Sequence, residues 1–166
     1  MNKRNYFSAF ALLCSMSLFL FTSCKTTNDQ TAAPATPPEK PQIVKTELRS
    51  PKVATPVGPY SQGIKAGDYI FVSGQLVLDE KGNALKCPIE EEATKVLESV
   101  KAVLEEGGST MDDVVKTTIL LRDIKDYPTV NKLYATYFKE PFPARATYQV
   151  ASLPKGVGLE IECVAI

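Results

Sequence analysis

Histidine is absent from the 166 residues of this sequence, and cysteine is scarce. Without histidine the chain cannot form a Ser-His-Asp or Cys-His nucleophile, and it lacks the commonest metal ligand of proteins. Two of the four cysteines, Cys14 and Cys24, lie near the N-terminus, which leaves Cys87 and Cys163. Two cysteines are too few ligands for a zinc site, so we predict no metal. Because Cys163 lies on the apolar face of its segment, we expect a buried free thiol there.

An excess of positive charge is also lacking. The sequence contains 19 Lys and Arg against 19 Asp and Glu. Two of the basic residues, Lys3 and Arg4, belong to an N-terminal signal described next, which leaves 17 basic residues and a net charge of about −2. Proteins that bind nucleic acids present a concentrated basic surface to the phosphates. We therefore predict no nucleic-acid partner.

Residues 1–23 have the pattern of a secretory signal peptide. Lys3 and Arg4 precede a mostly apolar run at residues 7–21, and no acidic residue occurs before Asp29. The run is too short and too close to the N-terminus for a transmembrane anchor. We predict that this segment directs export and is then removed.

Cys24 follows the signal in the sequence Phe-Thr-Ser-Cys, which resembles a bacterial lipobox with phenylalanine in place of the usual leucine. The resemblance implies that Cys24 is acylated and becomes the mature N-terminus. The membrane contact would then be the lipid alone. We expect an exported bacterial lipoprotein that faces the periplasm or is anchored in the outer membrane. The alternative is an ordinary signal with an incidental cysteine.

The chain after the signal divides into a tether and one domain. Residues 24–50 are rich in Thr, Pro, Ala, Lys and Gln and show no apolar periodicity. Such a composition buries too little surface to offset the entropy of ordering, so it predicts a flexible linker. Residues 51–166 are enough for one compact domain.

Apolar periodicity within the domain predicts strands and two helices. Residues 62–65 and 69–73 read as a hairpin, 89–106 as an amphipathic helix that Gly107 and Gly108 end, and 114–122 as a strand. Asp126 can cap a second helix. The order β-β-α-β-α-β-β is an α+β sheet with two helices on one face. The other face must be solvated or covered by another subunit, and we expect a subunit because Tyr, Phe and Val occur on several strands.

The last two predicted strands carry the polar side chains that can bind a ligand or take part in a reaction. Side chains alternate along a strand, so Arg145 and Thr147 share one face, and Glu160 lies on the polar face of the final strand. If the link at residues 151–157 folds the strands antiparallel, the side chains of Arg145 and Glu160 point into the same space from neighbouring strands. They would form either two ends of a site or a simple cross-strand ion pair.

Six short motifs occur in one order along the domain. They are 58–63 (GPYSQG), 71–75 (FVSGQ), 115–118 (VKTT), 129–131 (TVN), 142–145 (FPAR) and 159–162 (LEIE). Together they resemble the reactive intermediate deaminase family, also called RidA-like or YjgF-like. The resemblance covers effectively the whole domain, from about residue 56 to residue 166.

The resemblance implies a chorismate-mutase-like fold that forms a homotrimer with clefts between subunits. It implies hydrolysis of 2-imino or 2-enamino acids to 2-keto acids and ammonia, with no metal and no organic cofactor. The expected ligand is thus a small 2-imino or 2-keto acid. Homologous branches without deaminase activity share the fold, so the site residues decide the function.

By the same resemblance, Arg145 holds the substrate carboxylate, and Glu160 positions the attacking water and handles its proton. A guanidinium fork matches a carboxylate, and a carboxylate is the obvious base where no histidine exists. Four further residues are implied to line the cleft: Tyr60, Ser73, Gly74 and Asn131. Thr147 departs from the pattern, because many deaminating members carry cysteine there.

Two alternatives remain open at this point. The first is a non-catalytic binding module in the cell envelope that holds small carboxylates or a partner protein in the same cleft, and Thr147 gives it some weight. The second is RNA cleavage or translation inhibition, which is attributed to some relatives. The lack of a basic patch disfavours the second alternative.

Overall fold

A computed structural model describes residues 42–79 and 81–166. The predicted signal peptide and Cys24 lie outside these residues, so their predictions stay untested. Within the described part of the chain, no helix has both the length and the apolar character needed to cross a membrane.

The described chain forms one mixed sheet and two α-helices. The elements are β1 (Lys45–Leu48), β2 (Gly63–Ala66), β3 (Tyr69–Gln75), α1 (Ile89–Glu106), β4 (Val114–Leu121), α2 (Tyr127–Tyr137), β5 (Ala144–Gln149) and β6 (Leu159–Ala165). The strands lie in the order β1-β2-β3-β6-β4-β5. All neighbours pair antiparallel except β4 and β5, which are parallel. The predicted α+β class is confirmed.

β1 corrects the predicted tether. The segment 24–50 was expected to be flexible to its end, yet Lys45–Leu48 pairs antiparallel with β2. Composition conceals this strand because only Leu48 is buried, while the other three residues are exposed. The backbone ladder and one apolar side chain hold it, and neither leaves a periodic pattern in so short a run.

α1 has the bounds that the sequence predicts. Its apolar positions at spacings of three and four are buried against the sheet, and Val96, Leu97 and Val100 are fully inaccessible to solvent. The backbone of Gly108 has φ +77°, a left-handed conformation that glycine adopts without steric cost. This glycine lets the chain turn away after the helix.

The predicted cap of α2 is wrong. Asp126 occupies the N-cap position but makes no capping hydrogen bond with its side chain. A short 3-10 turn at Ile124–Asp126 precedes the helix and already places Asp126 in a helical conformation. The carboxylate that caps is Asp123, which accepts a hydrogen bond from the backbone N–H of Lys125 at 3.0 Å.

The sheet has one covered face and one open face. On β6, the side chains of Leu159, Ile161 and Cys163 are buried towards the helices, whereas Glu160 and Glu162 point to the other side. Cys163 is a free thiol, as predicted, and burial raises its pKa to about 12. No described element packs on the open face, where two aromatic side chains, Phe71 and Tyr148, are about half exposed.

β5 and β6 are not neighbours, which corrects the predicted strand pair. β4 lies between them, parallel to β5 and antiparallel to β6. The inward residues of β6 are all buried, which suits a central position, whereas no residue of β5 is fully buried, which suits an edge. The link at residues 151–157 therefore crosses β4.

Candidate functional site

Arg145 lies on the helix-covered face of the edge strand. It is in register with Thr117 of β4, whose side chain is fully buried beneath α2. Its Nη2 donates to Asn131 Oδ1 at 2.7 Å and to the Tyr127 hydroxyl at 3.3 Å. Its Cζ lies 4.6 Å from the centroid of the Tyr134 ring, a distance at which a cation is attracted to the aromatic face. The guanidinium thus has contacts on two sides.

The ring of Tyr134 is itself fixed. Its side chain is buried, and its hydroxyl oxygen lies 2.9 Å from Thr117 Oγ1, close enough for a hydrogen bond. Burial is the main cause that raises the pKa of Tyr134, so the phenol stays neutral. We call Tyr127, Asn131 and Tyr134 the arginine cradle. These residues form one face of α2, because positions three and four apart lie above one another on a helix.

The guanidinium borders a depression of about 500 Å³ between α2 and the start of β5. Its lining residues are Asn131, Tyr134, Ala135, Phe142, Pro143 and Arg145. Apolar side chains make up most of this wall, and the arginine supplies the positive charge. Such a site suits a small carboxylate with an apolar group attached.

Glu160 lies on the open face of the sheet and is half buried. Burial is the main cause that raises the pKa of its carboxyl above the ordinary value of 4.5, and the negative charge of Glu162 adds to the effect. Among residues 42–79 and 81–166 its carboxylate has no hydrogen-bond donor. A carboxylate that is partly desolvated and accepts no hydrogen bond has a higher proton affinity than an exposed one.

Gly74 lies beside Glu160, and Tyr60 lies near Gly74. A Cβ atom added at Gly74 would stand 2.7 Å from the Glu160 Cδ atom, so only glycine allows the carboxylate to sit against the backbone of β3. Tyr60 and Gly74 line one small recess. The Tyr60 hydroxyl accepts a weak hydrogen bond from the backbone N–H of Val57 at 3.4 Å, and the ring is 47% exposed. Tyr60 is therefore accessible to a ligand.

Ser73 precedes Gly74 but has a partner of its own. Its hydroxyl donates to the backbone carbonyl of Ser61 at 2.7 Å. Its backbone N–H donates to the carbonyl of Gln62 at 3.0 Å. These bonds hold the segment before β2 against β3, so the side chain of Ser73 has a structural role.

Thr147 lies two residues after Arg145, on the same face of β5. Its hydroxyl oxygen is buried and has no hydrogen-bond partner among the described residues. A buried polar atom without a partner carries a desolvation cost and calls for an explanation. Thr147 does not line the depression beside Arg145, so its predicted contact with a ligand stays a prediction.

Arg145 and Glu160 do not share one space within the chain, contrary to the prediction. Arg145 is level with Thr117 and Cys163, whereas Glu160 lies three residues before Cys163 on β6. Two strand spacings and three residues separate their Cα atoms by about 14 Å. Their side chains also point to opposite faces. The cross-strand ion pair is wrong for the same reason.

The site therefore consists of two half-sites. The arginine half-site contains Arg145 with the arginine cradle and Thr147. The glutamate half-site contains Glu160 with Gly74 against its carboxylate, together with Ser73, which precedes Gly74, and Tyr60, which lines a recess with Gly74. The described residues contain no group of three or more acidic or cysteine side chains placed to hold a metal ion.

Sequence reasoning missed Tyr127 and Tyr134. The signal was available, since Asn131 was a candidate and these tyrosines lie four residues before it and three residues after it in a predicted helix. What the sequence could not indicate was that this helix face lies over the arginine.

Comparisons with known proteins agree on one family. Residues 51–166 match the family described as endoribonuclease L-PSP. A 2-iminobutanoate/2-iminopropanoate deaminase of Homo sapiens is 43% identical over 125 residues, which cover 75% of this chain and 91% of the human protein.

Solved structures give the same result. A Yersinia pestis protein, YyfA, described as a protein of unknown function of the conserved Rid protein family, is 39% identical with a TM-score of 0.70, and the match covers 74% of this chain and 98% of that one. Escherichia coli TdcF with bound serine is 31% identical with a TM-score of 0.68, covering 73% and 98% respectively. The chain belongs to the endoribonuclease L-PSP family, the RidA-like family that its motifs resemble.

Proposed function

We propose that this protein hydrolyses 2-imino and 2-enamino acids to 2-keto acids and ammonia. The observation that carries the proposal is the arginine cradle, which presents a fixed guanidinium at the edge of an open depression. The similarity to proteins named as imine deaminases supports the reaction class. The bound serine in the TdcF structure is in keeping with a small amino-acid-like ligand.

Arg145 binds the substrate carboxylate in this proposal. Both of its hydrogen bonds to described residues use Nη2, so Nη1 and Nε are available for a ligand. A guanidinium can offer two parallel N–H groups to the two oxygens of a carboxylate and stays charged at any working pH. The stacked ring of Tyr134 keeps the fork in one plane, which lowers the entropy lost on binding.

Glu160 acts as the general base. Its carboxylate accepts a proton from a water molecule as the water oxygen attacks the C2 atom of the protonated imine, and a carbinolamine forms. The glutamic acid then returns the proton to the amino group. The C–N bond breaks, the C2–oxygen bond becomes a carbonyl, and the hydroxyl proton passes through Glu160 to the departing ammonia, which leaves as ammonium. A raised carboxyl pKa makes the first of these transfers easier, since the group is a better base than an exposed carboxylate.

The two half-sites must come from different chains to act on one small molecule. Arg145 and Glu160 point to opposite faces of the same sheet, too far apart for a substrate of a few atoms. We propose a homotrimer in which the arginine half-site of one subunit meets the glutamate half-site of the next. The exposed aromatic side chains of the open sheet face, Phe71 and Tyr148, support burial of that face between subunits.

The experiment mixes two inactive variants. Ammonia release is measured from imino acids that an amino-acid oxidase generates in situ. Arg145→Ala and Glu160→Gln should each lose at least about 100-fold in kcat/KM. When the two variants are coexpressed, about one quarter of the sites receive one intact half from each chain, so activity should return to about a quarter of wild type.

Wild-type-like turnover by Arg145→Ala would contradict the assignment of the carboxylate anchor. If both single variants are inactive and the mixture stays inactive, although mass spectrometry finds mixed oligomers, the proposed sharing of the site between chains is wrong. The matched control is coexpression of Arg145→Ala with a chain carrying both substitutions, which contains no intact arginine half-site and should not recover.

A non-catalytic binding module is the second candidate. The observation that favours it is that the arginine half-site is assembled within a single chain and does not depend on Glu160. Titration calorimetry with 2-ketobutanoate separates the two functions. Saturable binding that Arg145→Ala removes, together with no acceleration of ammonia release by the wild type, would support the binding module.

We also propose that the mature protein is an exported lipoprotein acylated at Cys24. The lipobox-like sequence and the acid-free signal segment support this proposal. Metabolic labelling with palmitate should tag the wild type and leave Cys24→Ala unlabelled. An unlabelled wild type would contradict it.

A further inference from the structure

Glu92 is a buried carboxylate that none of the steps above uses. It lies in the first turn of α1, and only 6% of its surface is exposed. Its Oε1 accepts two hydrogen bonds, from the backbone N–H of Gly158 at 2.7 Å and from that of Leu159 at 3.1 Å. No basic side chain of the described residues lies within ion-pair distance of it. Its partners are therefore two amides at the beginning of β6.

The position of Glu92 on the helix makes this contact favourable. The first turn of a helix leaves backbone N–H groups unpaired and carries partial positive charge, which stabilises a nearby carboxylate. Hydrogen bonds from two amides to a charged acceptor are stronger than those to a neutral one. The carboxylate therefore ties the N-terminus of α1 to the start of β6.

Gly158 shows how close this contact is. A Cβ atom added at Gly158 would stand 2.7 Å from Glu92 Oε2, so a larger residue would displace the carboxylate. The carbonyl of Gly158 also accepts a hydrogen bond from the backbone N–H of Arg122, 2.9 Å away, just past the end of β4. The start of β6 is thus held in two ways: α1 contacts the amides of Gly158 and Leu159, and the residue after β4 contacts the carbonyl of Gly158.

We propose that Glu92 is a positioning residue for Glu160, acting through the start of β6. Glu160 is the second residue after Gly158, and the described residues give its carboxylate no hydrogen-bond donor of its own. Its place on the open face then depends on the backbone of β6. A slip of one residue would turn the side chain to the other face, and a smaller shift would move the base away from the water. This inference rests on the proposed role of Glu160.

Two substitutions loosen the contact, and one preserves it. Glu92→Ala removes the acceptor, and Gly158→Ala pushes the acceptor away. Glu92→Gln keeps an amide oxygen that can accept both hydrogen bonds. Val103→Ala is the matched control, because Val103 is a fully buried residue of the same helix that lies beside Gly63, on β2, instead of β6.

The inference predicts a drop in kcat of about 10- to 100-fold for Glu92→Ala and for Gly158→Ala. KM should stay within about twofold of wild type, since the arginine half-site that binds the carboxylate is untouched. Glu92→Gln and Val103→Ala should keep a kcat near that of wild type. Amide hydrogen exchange at Gly158 and Leu159 should accelerate in Glu92→Ala.

Several outcomes would overturn the positioning role while the proposed function stands. A wild-type kcat in folded Gly158→Ala or Glu92→Ala is one. A kcat in Glu92→Gln as low as in Glu92→Ala would show that charge matters instead of position. An equal fall in Val103→Ala would assign the effect to general destabilisation. A wild-type protein without deaminase activity would overturn the proposed function and this role together.

Discussion

The two half-sites hold their key residues in opposite ways. Arg145 has two side-chain hydrogen bonds and an aromatic ring against it, all from α2. Glu160 has no donor among the described residues and is confined by the backbone of Gly74. One residue is oriented by specific partners, whereas the other is confined by shape and partly desolvated.

This difference follows from the chemistry proposed for each group. A guanidinium keeps its charge at every working pH, so what the protein can improve is its orientation. A base works by changing its protonation, and hydrogen bonds to its charged form would lower its pKa and weaken it. A carboxylate that is desolvated and left without donors is the better base. In the proposed reaction, the arginine half-site therefore sets binding and the glutamate half-site sets the chemical step.

Of the substitutions that test this difference between the half-sites, Gly74→Ala should have the largest effect on kcat. The new methyl group would overlap the Glu160 side chain and push the carboxylate away, while the arginine half-site stays intact. We expect kcat to fall by about 100-fold with little change in KM. Because the overlapping group is the end of a flexible side chain, the melting temperature should change little. Steady-state kinetics and thermal unfolding of the same preparation measure both quantities. A raised KM with an unchanged kcat would contradict the assignment of binding to the arginine half-site and of the chemical step to the glutamate half-site.

Glu162→Gln should have a smaller effect, confined to pH dependence. Burial and the charge of Glu162 both raise the pKa of Glu160, and the base must be deprotonated to work. Activity is therefore lost as the pH falls through that raised pKa. Removing the charge of Glu162 lowers the pKa of Glu160, so the acid limb of the kcat profile should move to lower pH. An acid limb in the same place, or one moved to higher pH, would contradict Glu160 as the titrating base.

Thr147→Val should have the smallest effect and tests the arginine half-site. Valine has nearly the shape of threonine and removes a buried hydroxyl that has no partner. The free energy of unfolding should rise by about 0.5–1 kcal/mol. If the hydroxyl binds the ligand, KM should rise by a few-fold, as expected for one neutral hydrogen bond. Chemical denaturation and steady-state kinetics give the two values, with Thr147→Ser as the control that keeps the hydroxyl. An unchanged KM would remove Thr147 from the binding residues.

Helices and strands were predictable where neighbouring residues in the sequence determine them. The bounds of α1 follow from apolar spacing within the helix and from the glycines after it. The strand β1 was missed, because backbone pairing with β2 supports it and pairing leaves no mark on composition. Asp126 was predicted as the cap and Asp123 was missed, since the sequence does not reveal the 3-10 turn at Ile124–Asp126.

The site was predictable by residue but not by arrangement. Period-two alternation assigns Arg145 and Thr147 to one face of their strand, and that assignment is correct. It cannot tell which face of the sheet that is, or which strand lies alongside. Strand order depends on the whole sheet, where the apolar β6 takes the centre and β5 takes an edge. The relation between Arg145 and Glu160 was therefore beyond local pattern.

The hydroxyl at position 147 has a consequence for redox chemistry. Peroxide attacks thiolates and carries them to sulfenic and sulfinic acid, whereas it leaves an alcohol such as that of Thr147 unchanged. Cys163 has a pKa raised to about 12, and burial also raises the pKa of Cys87, so both thiols stay protonated and react slowly at neutral pH. The proposed site works with a guanidinium and a carboxylate. It should therefore keep its activity at oxidant concentrations that inactivate a thiol-dependent enzyme.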